Sequence, residues 1–152
     1  MPSVIEYPPL LTGGFCDIAE SDFERLFVVP FNSTTRNGLC AKFREWLAAI
    51  KAIPISLEVW IDGSFVTYKP DPADVDVLCI LDEVGVNKLS DAEFEQLKRL
   101  LKRPVIMAEY GCHVFVIPRG DTGRYDYWLN SFGRSNNGSP KGIFRIFIGA
   151  GI

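Results

Sequence analysis

The chain has 152 residues, 47% of them hydrophobic and 23% charged, with a formal net charge of −3. That length and apolar content fit one domain with a substantial core, and the negative balance excludes the broad basic field that non-specific duplex binding needs. No charged-then-apolar leader opens the sequence and no apolar run approaches the roughly 18 to 20 residues of a membrane span, so the chain reads as cytoplasmic.

Residues 1–30 begin with prolines and a Gly13-Gly14 pair, which predict an irregular arm lying across the domain. Ser21 followed by Glu24 has the spacing of a capping box, so a short helix is expected there, packed with the arm. The next segment, "TTRNGLCAKFREWLAAIKA", places Leu39, Phe43, Trp46 or Leu47, and Ile50 at three- and four-residue steps. It predicts a helix whose apolar stripe faces a sheet. Ile55 to Ile61 and Val75 to Leu81 are near-continuous apolar runs, as expected of strands covered on both faces.

Ser90-Asp91 opens a third predicted helix, "DAEFEQLKRLLKR", which Pro104 stops. Val105 to Ala108 and Cys112 to Ile117 read as one or two further strands, interrupted at Tyr110-Gly111. "DTGRYDYWLNSF" suits a helix, "GRSNNGSPKG" a polar loop and "IFRIFIG" a closing strand. The order predicts a mixed α/β or α+β fold, a mixed sheet flanked by helices, as a single domain over residues 1–152. Cys16, Cys40, Cys79 and Cys112 are widely scattered and the chain has one histidine. That excludes a zinc pattern and leaves reduced, mostly buried thiols.

Chemistry concentrates in "EVWIDGSFVTYKPDPADVDVLCILDE", residues 58–83. Residues two apart on a strand share a face, so Asp74 and Asp76 present two carboxylates side by side. Like charges that close raise each other's pKa unless a cation lies between them. An oxygen-only pair suits a hard ion, Mg²⁺ above all, whose shell is completed by water and substrate phosphate. Gly63-Ser64 supplies a complementary element. Glycine lets the backbone approach an anion, the following amides and the Ser64 hydroxyl donate to it, and a helix opening after Gly63 would add partial positive charge.

Gly63-Ser64 followed by Asp74-Val75-Asp76 resembles the signature of the nucleotidyltransferase superfamily, which includes DNA polymerase β, poly(A) polymerases and small antitoxin-type transferases. The chain is more similar still to a group of small nucleotidyltransferase-like proteins of bacteria and their mobile elements. That likeness extends over "PPLLTGGFCDIAESDFERLF", "WIDGSFVTYKPDPADVDV" and "NNGSPKGIFRI". It implies that Gly63, Ser64 and nearby amides hold a nucleoside triphosphate, and that Asp74 and Asp76 bind Mg²⁺, with Mn²⁺ as its substitute. The reaction implied is transfer of a nucleoside monophosphate to a hydroxyl of a protein, an RNA or a small molecule.

The superfamily carries a third carboxylate on a later strand, and the matching position in "GCHVFVIP" is His113. Neutral imidazole is a poor Mg²⁺ ligand, so His113 is either the general base or the mark of a catalytically impaired relative that binds nucleotide or a protein partner in a regulatory, antitoxin-like role. Glu109, Asp121 and Asp126 are the other acids that could fill the place. Lys69, between the two motifs, and Arg134 and Lys141, in the polar loop, read as solvated loop charges or as contacts to phosphate or acceptor. Tyr125, Tyr127 and Trp128 read as packing residues.

Overall fold

The computed structural model describes residues 7–135 and 138–149. The start of the arm, Asn136 and Asn137 of the polar loop, and the three residues after Gly149 lie outside them. The fold is α+β, with a five-stranded mixed sheet of order β1-β5-β2-β3-β4. Its strands are β1 (Phe15–Asp17), β2 (Leu57–Asp62), β3 (Val75–Leu81), β4 (Cys112–Pro118) and β5 (Ile143–Ile148). The helices are α1 (Thr34–Lys51), α2 (Glu83–Asn87), α3 (Asp91–Leu100), α4 (Arg103–Tyr110) and α5 (Thr122–Phe132). β2 is antiparallel to both β3 and β5, whereas β3 runs parallel to β4 and β1 parallel to β5.

Side-chain alternation divides the sheet into two unequal faces. Val59, Ile61, Val75, Val77, Cys79, Val114 and Ile146 join Phe43, Trp46, Leu47 and Ile50 of α1, Leu97 of α3 and Ile106 of α4 in the larger core. The Trp46 indole is satisfied there by donating to the Leu100 carbonyl at 2.9 Å. On the opposite face Trp60, Leu78, Ile80, Ile117 and Ile143 meet Phe132, with Tyr125, Trp128 and Leu129 of α5 packed beside them. The predicted packing role of Tyr125 and Trp128 holds, while Tyr127 projects into solvent.

Four local expectations need correction. Val105 to Ala108 is helical, not a strand: Pro104 sits in the first turn of α4, where its missing N–H costs nothing, and Gly111 closes that helix at φ 65°. Pro104 therefore starts a helix as well as ending one. Ser21 is not a cap; the Asp22 carboxylate accepts from the Ala19 amide at 2.9 Å, a 3-10 turn covers Glu20–Asp22, and a π-helical segment covers Glu24–Val28. The arm is not wholly irregular, since Phe15–Asp17 pairs with Ile143 to Arg145. Finally, β2 begins two residues late, because the Ile55 amide turns back to the Ile53 carbonyl at 2.8 Å.

The four cysteines are free, three of them buried. Among the described residues no helix is long and apolar enough to cross a membrane.

Candidate functional site

Register brings the polar residues into one row. Asp62, the last residue of β2, pairs with Asp76 on β3, and Asp76 pairs with His113 on β4. By strand alternation Asp62 shares a face with Trp60, Asp76 with Leu78, and His113 with Phe115 and Ile117. This is the face that α5 covers. The His113 Nδ1 lies 3.6 Å from Asp76 Oδ1, with the two side chains 41% and 31% exposed. Phe115 packs against the imidazole at 4.4 Å between ring centroids.

The row borders a cleft of about 400 Å³ lined by Asp62, Gly63, Ser64, Thr67, Lys69, Asp76, Ser131, Arg134, Ser135 and Lys141, among others. Gly63 adopts φ 82°, a left-handed conformation that favours glycine. A Cβ on it would stand 2.5 Å from Asp76 Oδ2 and 2.8 Å from its Cγ. The absent side chain is thus what lets the Asp76 carboxylate lie against the Gly-Ser turn. After Gly63 the chain makes a single 3-10 turn, Ser64–Val66, too short to supply the partial positive charge that a helix opening there would add.

Two buried cations organise the surroundings. Arg36 of α1 is fully buried and donates to four backbone carbonyls: Phe27 (3.2 Å), Phe65 (2.8 Å), Thr67 (2.6 Å) and Lys69 (2.8 and 3.0 Å). Its guanidinium stacks 3.7 Å from the Phe31 ring centroid. Burial lowers its pKa to about 10, against the pull of Asp71, and it stays charged at neutral pH. Three of those carbonyls belong to the segment between Ser64 and Lys69, so Arg36 fixes that loop's path.

The second is Lys141. The sequence offered it as a solvated loop charge or a ligand contact; it is not solvated, its side chain being 10% exposed, and its Nζ lies 2.9 Å from Asp62 Oδ1. It also donates to the Gly63 carbonyl at 3.3 Å. The approach to Asp62 leaves Oδ1, itself buried, without a well-directed hydrogen bond. Burial pushes the Asp62 carboxyl up to about 7, Lys141 opposing and the Asp76 charge adding to the rise.

The arm braces both loops. The Leu10 amide donates to the Val66 carbonyl at 2.9 Å, the Tyr68 amide to the Pro8 carbonyl at 2.9 Å, and the Gly142 amide to the Leu11 carbonyl at 2.6 Å. A Cβ at Gly142 would collide with the Leu11 side chain.

Of the residues singled out in the sequence, Gly63, Ser64, Lys69, Asp76 and Arg134 line the cleft with Lys141, and His113 adjoins through Asp76. Asp74 is half-buried just before β3 and does not line the cleft, yet its charge, after burial, is the next cause raising the Asp76 pKa. Glu109 is held by Arg99 at 2.9 Å, Asp121 caps α5 by accepting from the Arg124 amide at 3.0 Å, and neither they nor Asp126 line the cleft. The pairing of Asp62 with Lys141 is what sequence reasoning missed. Its one sequence signal is an acid ending an apolar strand, which must find a cation or a donor.

Among the described residues no group of three or more His, Cys, Asp or Glu side chains is placed to hold a metal ion. A metal here would rest on Asp76 and Asp74, with water and ligand oxygens completing its shell. Such a donor set fits Mg²⁺: burial first, and then the Asp74 charge, raises the Asp76 pKa, and a hard cation beside the two carboxylates would offset both.

The chain belongs to the family described as "Family of unknown function (DUF6932)", whose model matches residues 3–147. No curated protein and no solved structure gave a significant match.

Proposed function

We propose that this protein binds a nucleoside triphosphate with Mg²⁺ in the cleft beside Gly63-Ser64 and transfers its nucleoside monophosphate to a hydroxyl. The observation that carries the reading is the seat of the Asp76 carboxylate against Gly63, where a Cβ would stand 2.5 Å from Oδ2. It joins the Gly-Ser turn to the acid strand at the point where phosphate and metal would meet. The Ser64 hydroxyl and the Lys69 ammonium are the donors for phosphate oxygens. Asp76 and Asp74 would hold the ion, which when bound supplies neutralisation of phosphate charge.

In the reaction, the acceptor hydroxyl oxygen forms a bond to the α-phosphorus. The bond from that phosphorus to its bridging oxygen breaks, and pyrophosphate leaves with the electron pair. His113 presents Nδ1 to Asp76, which leaves Nε2 to take the hydroxyl proton. The acceptor is a protein, an RNA or a small molecule.

One observation favours a second reading: the position beside Asp76 on β4 holds a histidine rather than an acid. In that case the protein is an impaired relative that binds nucleotide or a protein partner as a regulatory module. Incubation of the purified protein with α-labelled nucleoside triphosphates, first with Mg²⁺ and then with Mn²⁺, tests the pair. Transfer of label that Asp76→Asn abolishes supports the enzyme. His113→Asp then discriminates further, lowering the rate if His113 is the base and raising it from a low baseline if the histidine is the impairment. Absence of both label transfer and metal-dependent nucleotide binding would sink the enzyme and the nucleotide-binding form of the second reading, leaving the protein-binding form.

A further inference from the structure

Resting on the reading of the cleft as a triphosphate site, we infer that Arg134 and Lys141, near the two ends of the connection between α5 and β5, form the binding element for the outer phosphates. Lys141 and Arg134 take the β- and γ-phosphate oxygens, and Asp62 is the positioning residue that holds the Lys141 ammonium at the cleft.

The Lys141–Asp62 pair makes a poor stability device. Both side chains are at least nine-tenths buried, and a buried ion pair loses much of its attraction to desolvation, so an apolar pair of similar volume often serves the fold as well or better. The ammonium has three N–H donors. The Gly63 carbonyl accepts from one of them, the Asp62 carboxylate lies beside the ammonium without a well-directed bond, and Lys141 lines the cleft. Because the Asp62 contact is not a well-directed hydrogen bond, the ammonium can turn toward an anion without breaking an optimised bond.

The surroundings are complementary. Lys69, Arg134 and Lys141 converge with Ser64 on one cleft in a chain whose net charge is −3. Arg134 is exposed and donates to the Gly138 carbonyl at 3.2 Å through one nitrogen, leaving other guanidinium donors for a phosphate. Lys141 also holds the carbonyl of Gly63, so an anion on this loop lies next to the Gly-Ser turn. The site should therefore rank triphosphate above diphosphate above monophosphate, and retain the pyrophosphate product.

Inorganic tripolyphosphate, titrated calorimetrically into the intact protein with metal chelated, is the probe. Wild type should bind it, and Lys141→Met should weaken binding by at least about tenfold, the loss of one charge-assisted contact. Arg134→Ala should cost a few-fold. Should Lys141→Met fail to fold because Asp62 loses its partner, the double variant Asp62→Asn/Lys141→Met removes both charges and must show the same loss. Unchanged tripolyphosphate binding in these Lys141 variants, or none in wild type, overturns the inference. Mg²⁺-dependent nucleotide binding that is indifferent to Lys141 overturns it while the nucleotidyl-transfer reading stands. Lys141-dependent tripolyphosphate binding without any nucleotide binding supports the anion site and defeats that reading.

Discussion

Arg36 and Lys141 are both buried cations beside the same cleft, and they are buried in opposite ways. Arg36 meets only neutral carbonyls, and five hydrogen bonds occupy its five N–H donors. Lys141 meets a carboxylate and one carbonyl, with a donor left over at the cleft wall. A saturated guanidinium inside the core can only hold a backbone in place. An unsaturated ammonium at a cleft has something left to bind, at the expense of a carboxyl that burial drives toward its neutral form.

The largest effect should come from breaking that contrast at Arg36. Arg36→Met orphans four backbone carbonyls that water reaches poorly, and about 3 kcal/mol or more of stability should be lost in chemical denaturation. The double variant Asp62→Asn/Lys141→Met should stay within about 1 kcal/mol of wild type. Equal losses in the two would erase the distinction between a structural and a binding cation.

Gly63→Ala comes next. The left-handed backbone and the close Asp76 carboxylate together should cost about 1–3 kcal/mol. Asp76→Ala should offset part of that loss, so the double mutant is less destabilised than the sum of the singles. Strict additivity would show that Gly63 serves the turn alone and makes no room for the acid.

The last contrast is read in pH. Because folding raises the Asp62 pKa to about 7, the native state binds the extra proton between the unfolded carboxyl value of about 3.9 and that pH. Stability from this group is fully present below the lower value and is lost as pH rises through about 7. The stability difference between wild type and Asp62→Asn, followed by urea denaturation from pH 4 to 8, should fall across that window and then level off. A difference that rises with pH would mean that Lys141 outweighs burial and Asp62 is an ordinary ion-paired carboxylate.

Local patterns in the sequence carry much of the fold. The three- and four-residue spacing from Leu39 to Ile50 marks α1, whose observed span is Thr34–Lys51, and the apolar run Val75 to Leu81 coincides with β3. Alternation places Asp76 on the opposite face from Val75 and Val77, the side that became the cleft. Where two local signals conflict, sequence is a weaker guide. Val105 to Ala108 has strand-like residues, but Pro104 and Gly111 are the start and stop of a helix, and packing of Ile106 into the large core settles the matter. The short pairing of Phe15–Asp17 with β5 depends on a partner more than 120 residues away, which no local pattern encodes.

The sequence by itself determined that Asp76 would point away from Val75 and Val77, because backbone geometry fixes side-chain direction at period two; the Asp74 expected beside it on the same face precedes β3 and does not line the cleft. Only the tertiary structure decided which charges meet. The register of β2 against β3 and of β3 against β4 aligned Asp62, Asp76 and His113, and the path of the loop into β5 brought Lys141 onto an acid 79 residues earlier. Those encounters are set by long-range packing and by the need to compensate a buried carboxylate, and neither leaves a local trace in the chain.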